Sequence, residues 1–248
     1  MAAGEVAAQT LKGKVALVTG AGSGLGAAIA CVLGESGARG ILADVRGDAV
    51  ERQALAIVEH GGEAVARRLD VTDERQVEET VRWAQERFGS LDVLVNCAGV
   101  DVTLPVDELA VADWDRIIAV NLRGPYLLSR CALPAMKQRG DGAIVNIIST
   151  AAKRAWPNAA AYHASKWGLL GFSHALHTEA RPFGVKVTAI ISGGMRTPFL
   201  LDRFPDLDPG NLQDPFTVAR TVLFALSLPT ESVIPELMVL PLRETSWP

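Results

Sequence analysis

The sequence predicts an α/β protein built on one doubly wound parallel sheet of about seven strands, with helices on both faces. Short apolar, β-branched segments alternate along the chain with longer segments whose apolar residues recur at helical spacing. The strand segments are continuously apolar, which is typical of a sheet covered on both faces. Strand–helix alternation with right-handed crossovers then gives the doubly wound arrangement.

The individual elements follow from this alternation. The predicted strands are residues 15–19, 40–44, 64–70, 91–96, 143–148, 186–191 and 237–240. The predicted helices are residues 25–37, 48–60, 73–88, 113–139, 158–182 and 215–228. Asp73 and Asp113 are predicted N-cap residues, and Gln76 completes a capping box with the first of them.

Length and composition predict one folded domain over residues 1–248, with an N-terminal tail at 1–11. Hydrophobic residues make up 49% of the chain, and the net charge of −4 argues against nucleic-acid or anionic-membrane partners. The odd number of cysteines, 3, favours free thiols in a reducing compartment. With no apolar signal segment and no membrane-spanning stretch, the predicted location is cytoplasmic.

One long segment interrupts the regular alternation. Residues 192–214 contain three prolines, Pro198, Pro205 and Pro209, and lack a clear helical or strand pattern. Loops of this length inside a compact domain are usually functional. We therefore predict a substrate lid here.

A glycine-rich segment joins the first predicted strand to the first predicted helix. It contains Gly20, Gly22, Ser23, Gly24, Leu25 and Gly26. Glycines allow a tight turn and a close backbone approach to a pyrophosphate, whose charge meets the helix N-terminus. The alternative is a purely structural turn. The position at the first crossover favours a dinucleotide in a Rossmann-like fold.

Asp44 ends the second predicted strand, about 20 residues beyond the glycines, and Val45 follows it. A carboxylate there accepts hydrogen bonds from the adenosine ribose hydroxyls and repels a 2′-phosphate. This predicts NAD rather than NADP as the cofactor. Arg46 could offset the repulsion, and the alternative is that Asp44 is an ordinary turn residue.

Tyr162 and Lys166 lie four residues apart at the start of a predicted helix, which places them on one face. Lowering the pKa of a tyrosine from about 10 to near 7 requires about 4 kcal/mol. An ammonium about 5 Å away contributes about 3 kcal/mol at an effective dielectric of about 20, and oxidised nicotinamide, itself cationic, would supply the rest. Ser149 ends a predicted strand at the sheet edge where such folds bind ligands, and its hydroxyl can hold a substrate oxygen beside the tyrosine.

These motifs, over about residues 11–228, resemble those of the short-chain dehydrogenases/reductases. Thr19-Gly-x-x-x-Gly24-x-Gly26 resembles the family's glycine motif, and Asp70-Val71 its adenine contact. Asn96-Cys-Ala98-Gly99 is similar to its Asn-Asn-Ala-Gly segment, with Cys97 replacing one asparagine. Ser149, Tyr162 and Lys166 match its catalytic triad in order and spacing, and Asn121 matches its helix asparagine.

The resemblance implies the role of each residue. Tyr162 would be the general acid/base, and Lys166 would lower the pKa of Tyr162 and bind the nicotinamide ribose. Ser149 would orient the substrate oxygen, while Asn121 would hold a water or carbonyl in a proton relay. The resemblance also implies a homo-oligomer, a dimer or tetramer, formed through the helices at 113–139 and 158–182.

Two segments depart from the family pattern. Ile191-Ser192-Gly193-Gly194 stands where the family has Pro-Gly, although Thr197-Pro198 follows as expected. The resemblance therefore still implies contacts from Gly194 and Thr197 to the nicotinamide. The usual Asp-Gly-Gly tail is absent from residues 237–248, which puts the common tail-mediated subunit contact in doubt.

The predicted function is hydride transfer between NAD(H) and a secondary alcohol/ketone substrate. The competing hypotheses are an NADPH-dependent ketoreductase of a carrier-bound or polyketide carbonyl, and a dinucleotide-binding regulator without catalysis. We predict no metal site, and we predict core or surface roles for His163, His174 and His177. Substrate-pocket lining and plain packing remain equal interpretations for Trp156, Met195, Phe199, Leu200 and Phe204.

Overall fold

A computed structural model of the chain describes residues 11–243, which form a seven-stranded parallel sheet. The strand order is β3-β2-β1-β4-β5-β6-β7, and helices cover both faces. The predicted fold class is therefore confirmed. The strands are β1 Val15–Thr19, β2 Arg39–Asp44, β3 Glu63–Arg68, β4 Val93–Asn96, β5 Gly142–Ser149, β6 Val185–Ser192 and β7 Glu236–Val239.

The helices alternate with the strands as the sequence predicts. They are α1 Gly24–Glu35, α2 Gly47–Glu59, α3 Glu74–Phe88, α4 Val111–Ile118, α5 Gly124–Arg139, α6 Ala160–Ala180, α7 Pro198–Leu201 and α8 Pro215–Leu226. Residues 1–10 and 244–248 lie outside the described residues, so the predicted N-terminal tail, except Leu11, and the last part of the atypical C-terminal tail are not described.

The predicted helix at 113–139 differs from the structure in two ways. A wider π-helical turn, Ala119–Arg123, separates α4 from α5. The helix also begins at Val111 after Ala110, so the prediction of Asp113 as N-cap is wrong. Asp73 does cap α3, because its carboxylate accepts the Gln76 amide at 3.1 Å.

The two faces of the sheet carry separate apolar clusters. Ile29 of α1 and Val222 of α8 belong to the cluster on one face, and both are fully buried. Leu128 and Met136 of α5 belong to the cluster on the other face and are equally buried. The central strands are therefore inaccessible to water on both faces, which explains their continuous apolar sequence.

The sheet reverses its winding between two neighbouring strands. β1 pairs with β2 on one side and with β4 on the other, so the connections leave in opposite directions from this point. A crevice opens at the carboxyl ends of β1 and β4, where open α/β sheets bind their ligands. Among the described residues, no helix is both long enough and apolar enough to cross a membrane.

Thr19 joins the two strands that border this crevice. It is 1% exposed at the end of β1. Its Oγ1 accepts hydrogen bonds from the amides of Cys97 at 3.1 Å and Ala98 at 3.2 Å. The same hydroxyl donates to the Val95 carbonyl at 3.4 Å. One side chain thus fixes the segment that follows β4.

We expect Thr19→Val to lower the free energy of unfolding by about 2–4 kcal/mol, because two amides lose their acceptor at nearly constant side-chain volume. Thr19→Ser keeps the hydroxyl and loses one methyl group, so we expect a loss of about 1 kcal/mol. Urea unfolding of the two variants measures the difference. Equal stabilities would contradict the role assigned to the hydroxyl.

Candidate active site

A cavity of about 1220 Å³ opens at the carboxyl edge of the sheet, between the strand ends and the segment that follows β6. Most of the predicted site residues line it, although they come from distant parts of the chain. They are Gly20, Ser23, Gly24, Leu25, Gly26, Asp44, Val45, Asp70, Val71, Ala98, Gly99, Ser149, Tyr162, Lys166, Gly194 and Thr197.

Two predicted cofactor residues, Asn96 and Gly22, lie behind the cavity wall instead. The Asn96 amide donates to Asn146 Oδ1 at 2.8 Å inside the core, and Asn96 is 2% exposed. Gly22 donates its backbone amide to Asp44 Oδ2 at 3.0 Å. A Cβ atom at Gly22 would lie 2.8 Å from that oxygen, so glycine is required for this contact. Both residues make their contacts behind the cavity wall, and neither lines the cavity.

Asn121 is also away from the cavity, in the π-helical turn, and is fully buried. Its Oδ1 accepts the Val100 amide at 2.8 Å, and its Nδ2 donates to the Val100 carbonyl at 2.8 Å and to Ser165 Oγ at 3.0 Å. The side chain therefore ties the segment after β4 to α6. This contact positions the loop beside Lys166, whose Nζ lies 3.8 Å from the Cβ position of Gly99.

The N-terminus of α1 faces the cavity at the glycine-rich segment. Ser23 precedes the helix but makes no side-chain capping bond, and the first turn contains no acidic residue. The first-turn amides are therefore available to an anion. A Cβ atom on Gly26 would lie 2.2 Å from the Gly20 carbonyl oxygen, so a side chain there would displace the turn. This chemistry fits a pyrophosphate.

Asp44 is held beside the glycine segment by backbone and side-chain donors. Its Oδ1 accepts the Arg46 amide at 3.0 Å and Arg46 Nε at 3.3 Å, while Oδ2 faces Gly22. Arg46 Nη2 also donates to Ser23 Oγ at 2.9 Å. This end of the cavity therefore presents a carboxylate and a guanidinium together.

The three predicted catalytic residues meet at the other end. The side chain of Ser149, from the end of β5, hydrogen-bonds that of Tyr162 in the first turn of α6. Lys166 lies one turn later, 5.7 Å from the centroid of the Tyr162 ring. Its Nζ donates to the Ile147 carbonyl at 2.9 Å, which fixes the ammonium beside β5.

Burial controls the protonation of this pair. Desolvation raises the pKa of Tyr162 to about 12, with the Ser149 hydrogen bond acting in the opposite direction. Desolvation also lowers the pKa of Lys166 to about 8. From the sequence we expected the ammonium and a bound oxidised nicotinamide together to bring the tyrosine pKa close to neutral. In the protein without cofactor, desolvation is the largest effect on the pKa of Tyr162, so Tyr162 is a protonated phenol at neutral pH.

A family model described as short chain dehydrogenase matches residues 14–208. The chain belongs to the short-chain dehydrogenase family. An uncharacterized oxidoreductase of Thermotoga maritima is 37% identical over 227 residues, which cover 86% of this chain and 88% of that protein.

Solved structures agree with the family assignment. A metagenomic short-chain oxidoreductase in complex with NADP is 35% identical, covers 94% of this chain and 99% of its own, and has a TM-score of 0.84. Levodione reductase is 31% identical, covers 93% of this chain and 96% of its own, and has a TM-score of 0.86. The protein is therefore an oxidoreductase of the short-chain dehydrogenase family.

The predicted lid at residues 192–214 lines the catalytic end of the cavity. It contains the short helix α7 and a turn at Pro209–Asn211 rather than continuous irregular backbone. The five residues for which pocket lining and packing were equal interpretations all reach the cavity: Trp156, Met195, Phe199, Leu200 and Phe204. The Phe199 ring lies 6.1 Å from the ring of Tyr162. The lid thus gives the reacting end an aromatic wall.

His163 has the core role that the sequence predicts, and it also supports the pocket. It is 8% exposed, with Nδ1 2.8 Å from the Ala151 carbonyl. Its Nε2 accepts the Trp156 amide at 3.1 Å. A neutral imidazole protonated on Nδ1 satisfies both contacts. His163 therefore holds the backbone of a residue that lines the cavity.

Sequence reasoning missed two charged residues at the catalytic end, Asp101 and Arg203. They form an ion pair across the cavity, with side chains 6% and 24% exposed. The available signal was the position of Asp101, two residues beyond Gly99 in the segment that follows β4. Nothing in the sequence connects Asp101 to an arginine 102 residues away.

The raised pKa predicts when the phenol of Tyr162 ionises. The chain has 2 tyrosines, so the near-ultraviolet phenolate absorbance of wild type minus Tyr162→Phe isolates this residue. Without cofactor, we expect the Tyr162 phenolate to form only near pH 12. The Tyr126→Phe variant should retain that late signal. Ionisation of Tyr162 below its ordinary value of 10.0 would contradict the dominance of desolvation.

Proposed function

We propose that the protein transfers a hydride between NAD(H) and a secondary alcohol/ketone substrate, with Tyr162 as general acid/base. The observation that carries this proposal is the hydrogen-bonded Ser149–Tyr162 pair, one helical turn from Lys166, in the same cavity as the glycine-rich segment. A nucleotide bound along that cavity would extend from α1 to the catalytic end.

The residues that would hold the cofactor fall into three groups. The first-turn amides of α1 would bind its pyrophosphate, and Asp44 would accept from the adenosine ribose. Asp70 and Val71 would contact the adenine, as the family resemblance implies. Gly194, Thr197 and Lys166 would hold the nicotinamide end. When bound, the nicotinamide supplies or accepts the hydride.

Tyr162 would handle the proton. In the reducing direction, its protonated hydroxyl donates to the carbonyl oxygen while the carbonyl carbon gains the hydride, which yields the alcohol and a phenolate. Ser149 holds the same oxygen, so that it faces the phenol. The Lys166 ammonium stabilises the phenolate until a proton from solvent converts it back to the phenol. Alcohol oxidation is the reverse, and begins from the phenolate.

The choice between NAD and NADP depends on Asp44 and Arg46. Asp44 disfavours a 2′-phosphate and supports NAD. The alternative, an NADPH-dependent ketoreductase of a carrier-bound or polyketide carbonyl, is favoured by Arg46, whose guanidinium lies at Ser23 with its side chain 57% exposed. The structure of a metagenomic short-chain oxidoreductase in complex with NADP supports this alternative.

Three further proposals accompany the activity. The chain forms one domain, works in the cytoplasm and assembles as a dimer or tetramer. Trp167 on α6 is 52% exposed and supports association through the long helices. A noncatalytic regulator is less well supported, because the three catalytic side chains share the cavity.

Tyr162→Phe removes the hydroxyl that exchanges the proton and keeps the ring. We expect kcat for ketone reduction to fall about a thousandfold, with cofactor binding retained. Tyr126 lies on α5 outside the cavity and is 46% exposed. Tyr126→Phe makes the same change there and should keep wild-type turnover. Consumption of NADH over a panel of ketones measures both. Undiminished turnover by the Tyr162 variant would refute the mechanism.

Asp44→Asn removes the charge that would repel a 2′-phosphate and leaves an oxygen for the Gly22 amide. We expect the wild-type protein to favour NAD over NADP in kcat/KM, and this ratio to fall about tenfold to a hundredfold in the variant. Arg46→Gln should shift the ratio in the opposite direction. A wild-type preference for NADP would show the alternative cofactor assignment to be the correct one.

A further inference from the structure

The ion pair between Asp101 and Arg203 connects the floor of the cavity to its lid. Asp101 lies in the segment that follows β4, and Arg203 lies just after α7. Arg203 Nη1 donates to Asp101 Oδ2, and Arg203 Nε donates to the Phe199 carbonyl at 2.8 Å. The guanidinium also stacks 4.2 Å from the Phe199 ring centroid and 5.5 Å from that of Phe204. One cation of the lid, Arg203, is therefore paired with one buried carboxylate, Asp101.

The two oxygens of this carboxylate differ in their surroundings. Oδ2 accepts from Arg203 and from Thr103 Oγ1 at 3.5 Å. Oδ1 is buried and has no hydrogen-bond partner among the described residues. A carboxylate oxygen has two lone-pair sites, and a buried one without a donor is energetically unfavourable. Oδ1 is therefore the oxygen of Asp101 that retains its full capacity to accept a hydrogen bond.

Asp101 lies at the reacting end of the cavity. Asp101 and Arg203 both line the cavity and both act electrostatically on Tyr162. The neighbouring Phe199 contributes an apolar ring beside Tyr162. In apolar pockets, a small number of polar groups fix the orientation of the ligand. The carboxylate of Asp101, beside the aromatic wall, is such a group.

We propose that Asp101 determines substrate specificity by accepting a hydrogen bond at Oδ1 from an O–H or N–H group on the substrate. The proposal rests on the function proposed above and deepens it. The substrate class is a ketone, or the corresponding alcohol, that carries a second hydroxyl or an amino group near the reacting carbon. Oδ1 is buried in this structure, so the proposal requires Asp101 or the lid segment to shift when the substrate binds.

The charge of the site favours a donor over an anion. A carboxylate can only accept hydrogen bonds, and it repels an anionic substrate group at short distance. The one partner that the chain provides for Asp101 from the lid is a cationic N–H donor, so the site already has the chemistry that binds such a group. A substrate acid would have to displace Asp101 from Arg203 inside the cavity, which leaves one charge without a partner.

The test compares substrates that differ only in the donor. We expect wild-type protein to reduce hydroxyacetone or aminoacetone about tenfold to a hundredfold more efficiently, in kcat/KM, than methoxyacetone. In Asp101→Asn the ratio should fall to about one, because the amide can turn its N–H₂ group toward the substrate. Asp107→Asn makes the same change at an exposed position of the same segment and should keep the wild-type ratio.

Each outcome distinguishes the two proposals. An unchanged ratio in Asp101→Asn, with turnover intact, overturns the role of Asp101 and leaves the proposed function in place. A preference for acetoacetate that disappears in Arg203→Gln would show that Arg203 binds the substrate, and it would also overturn the role of Asp101. Full activity of Tyr162→Phe would instead remove the proposed function itself.

A second measurement does not depend on turnover. The thermal midpoint of the NADH-loaded protein should rise more with 1,2-propanediol than with 1-methoxy-2-propanol, and the difference should vanish in Asp101→Asn. Equal shifts in the wild-type protein would overturn the proposal. Between the two donors, a preference for the amine indicates recognition of charge, and equal efficiencies indicate recognition of the hydrogen bond alone.

Discussion

Removal of water from around Tyr162 and Lys166 is the constraint on which the chemistry of this cavity depends. Burial favours the uncharged form of each group, so it raises the pKa of Tyr162 and lowers the pKa of Lys166. The proton transfer that we propose between a substrate oxygen and Tyr162 would then take place where nearby charges act at low dielectric. The Ser149 hydrogen bond and the charges of Asp101 and Arg203 consequently all act on the pKa of a single phenol.

The fold keeps these groups together by fastening the segment that follows β4 at several points. Thr19 binds its first amides, and Asn121 binds both backbone groups of Val100. Asn121 also reaches Ser165 on α6, the residue before Lys166. The wall between the cofactor end and the catalytic end is thus held from β1, from the π-helical turn and from α6 at once. None of these contacts requires a bound ligand.

The sequence predicts the order of strands and helices because apolar periodicity is a local property of the chain. It also predicts the glycine segment, Asp44 and the catalytic triad, because short motifs fix their place relative to strand ends. It does not predict which way a motif residue faces. Asn96 and Asn121 belong to recognisable motifs, yet their side chains satisfy core and backbone groups rather than lining the cavity. The pKa of Tyr162 in the cofactor-free protein depends first on burial, which the spacing of Tyr162 and Lys166 alone does not predict.

The π-helical turn has a consequence for the geometry of the whole α4–α5 segment. Such a turn inserts one residue into an otherwise regular helix. Since each residue of an α-helix advances about 100° around the axis, loss of one residue from Ala119–Arg123 would rotate α4 relative to α5 by that amount. Ile117 would leave the core and Arg116 would leave the mouth of the cavity. The one extra residue of the π-helical turn therefore sets the rotation of α4, and this rotation places Ile117 in the core and Arg116 at the cavity.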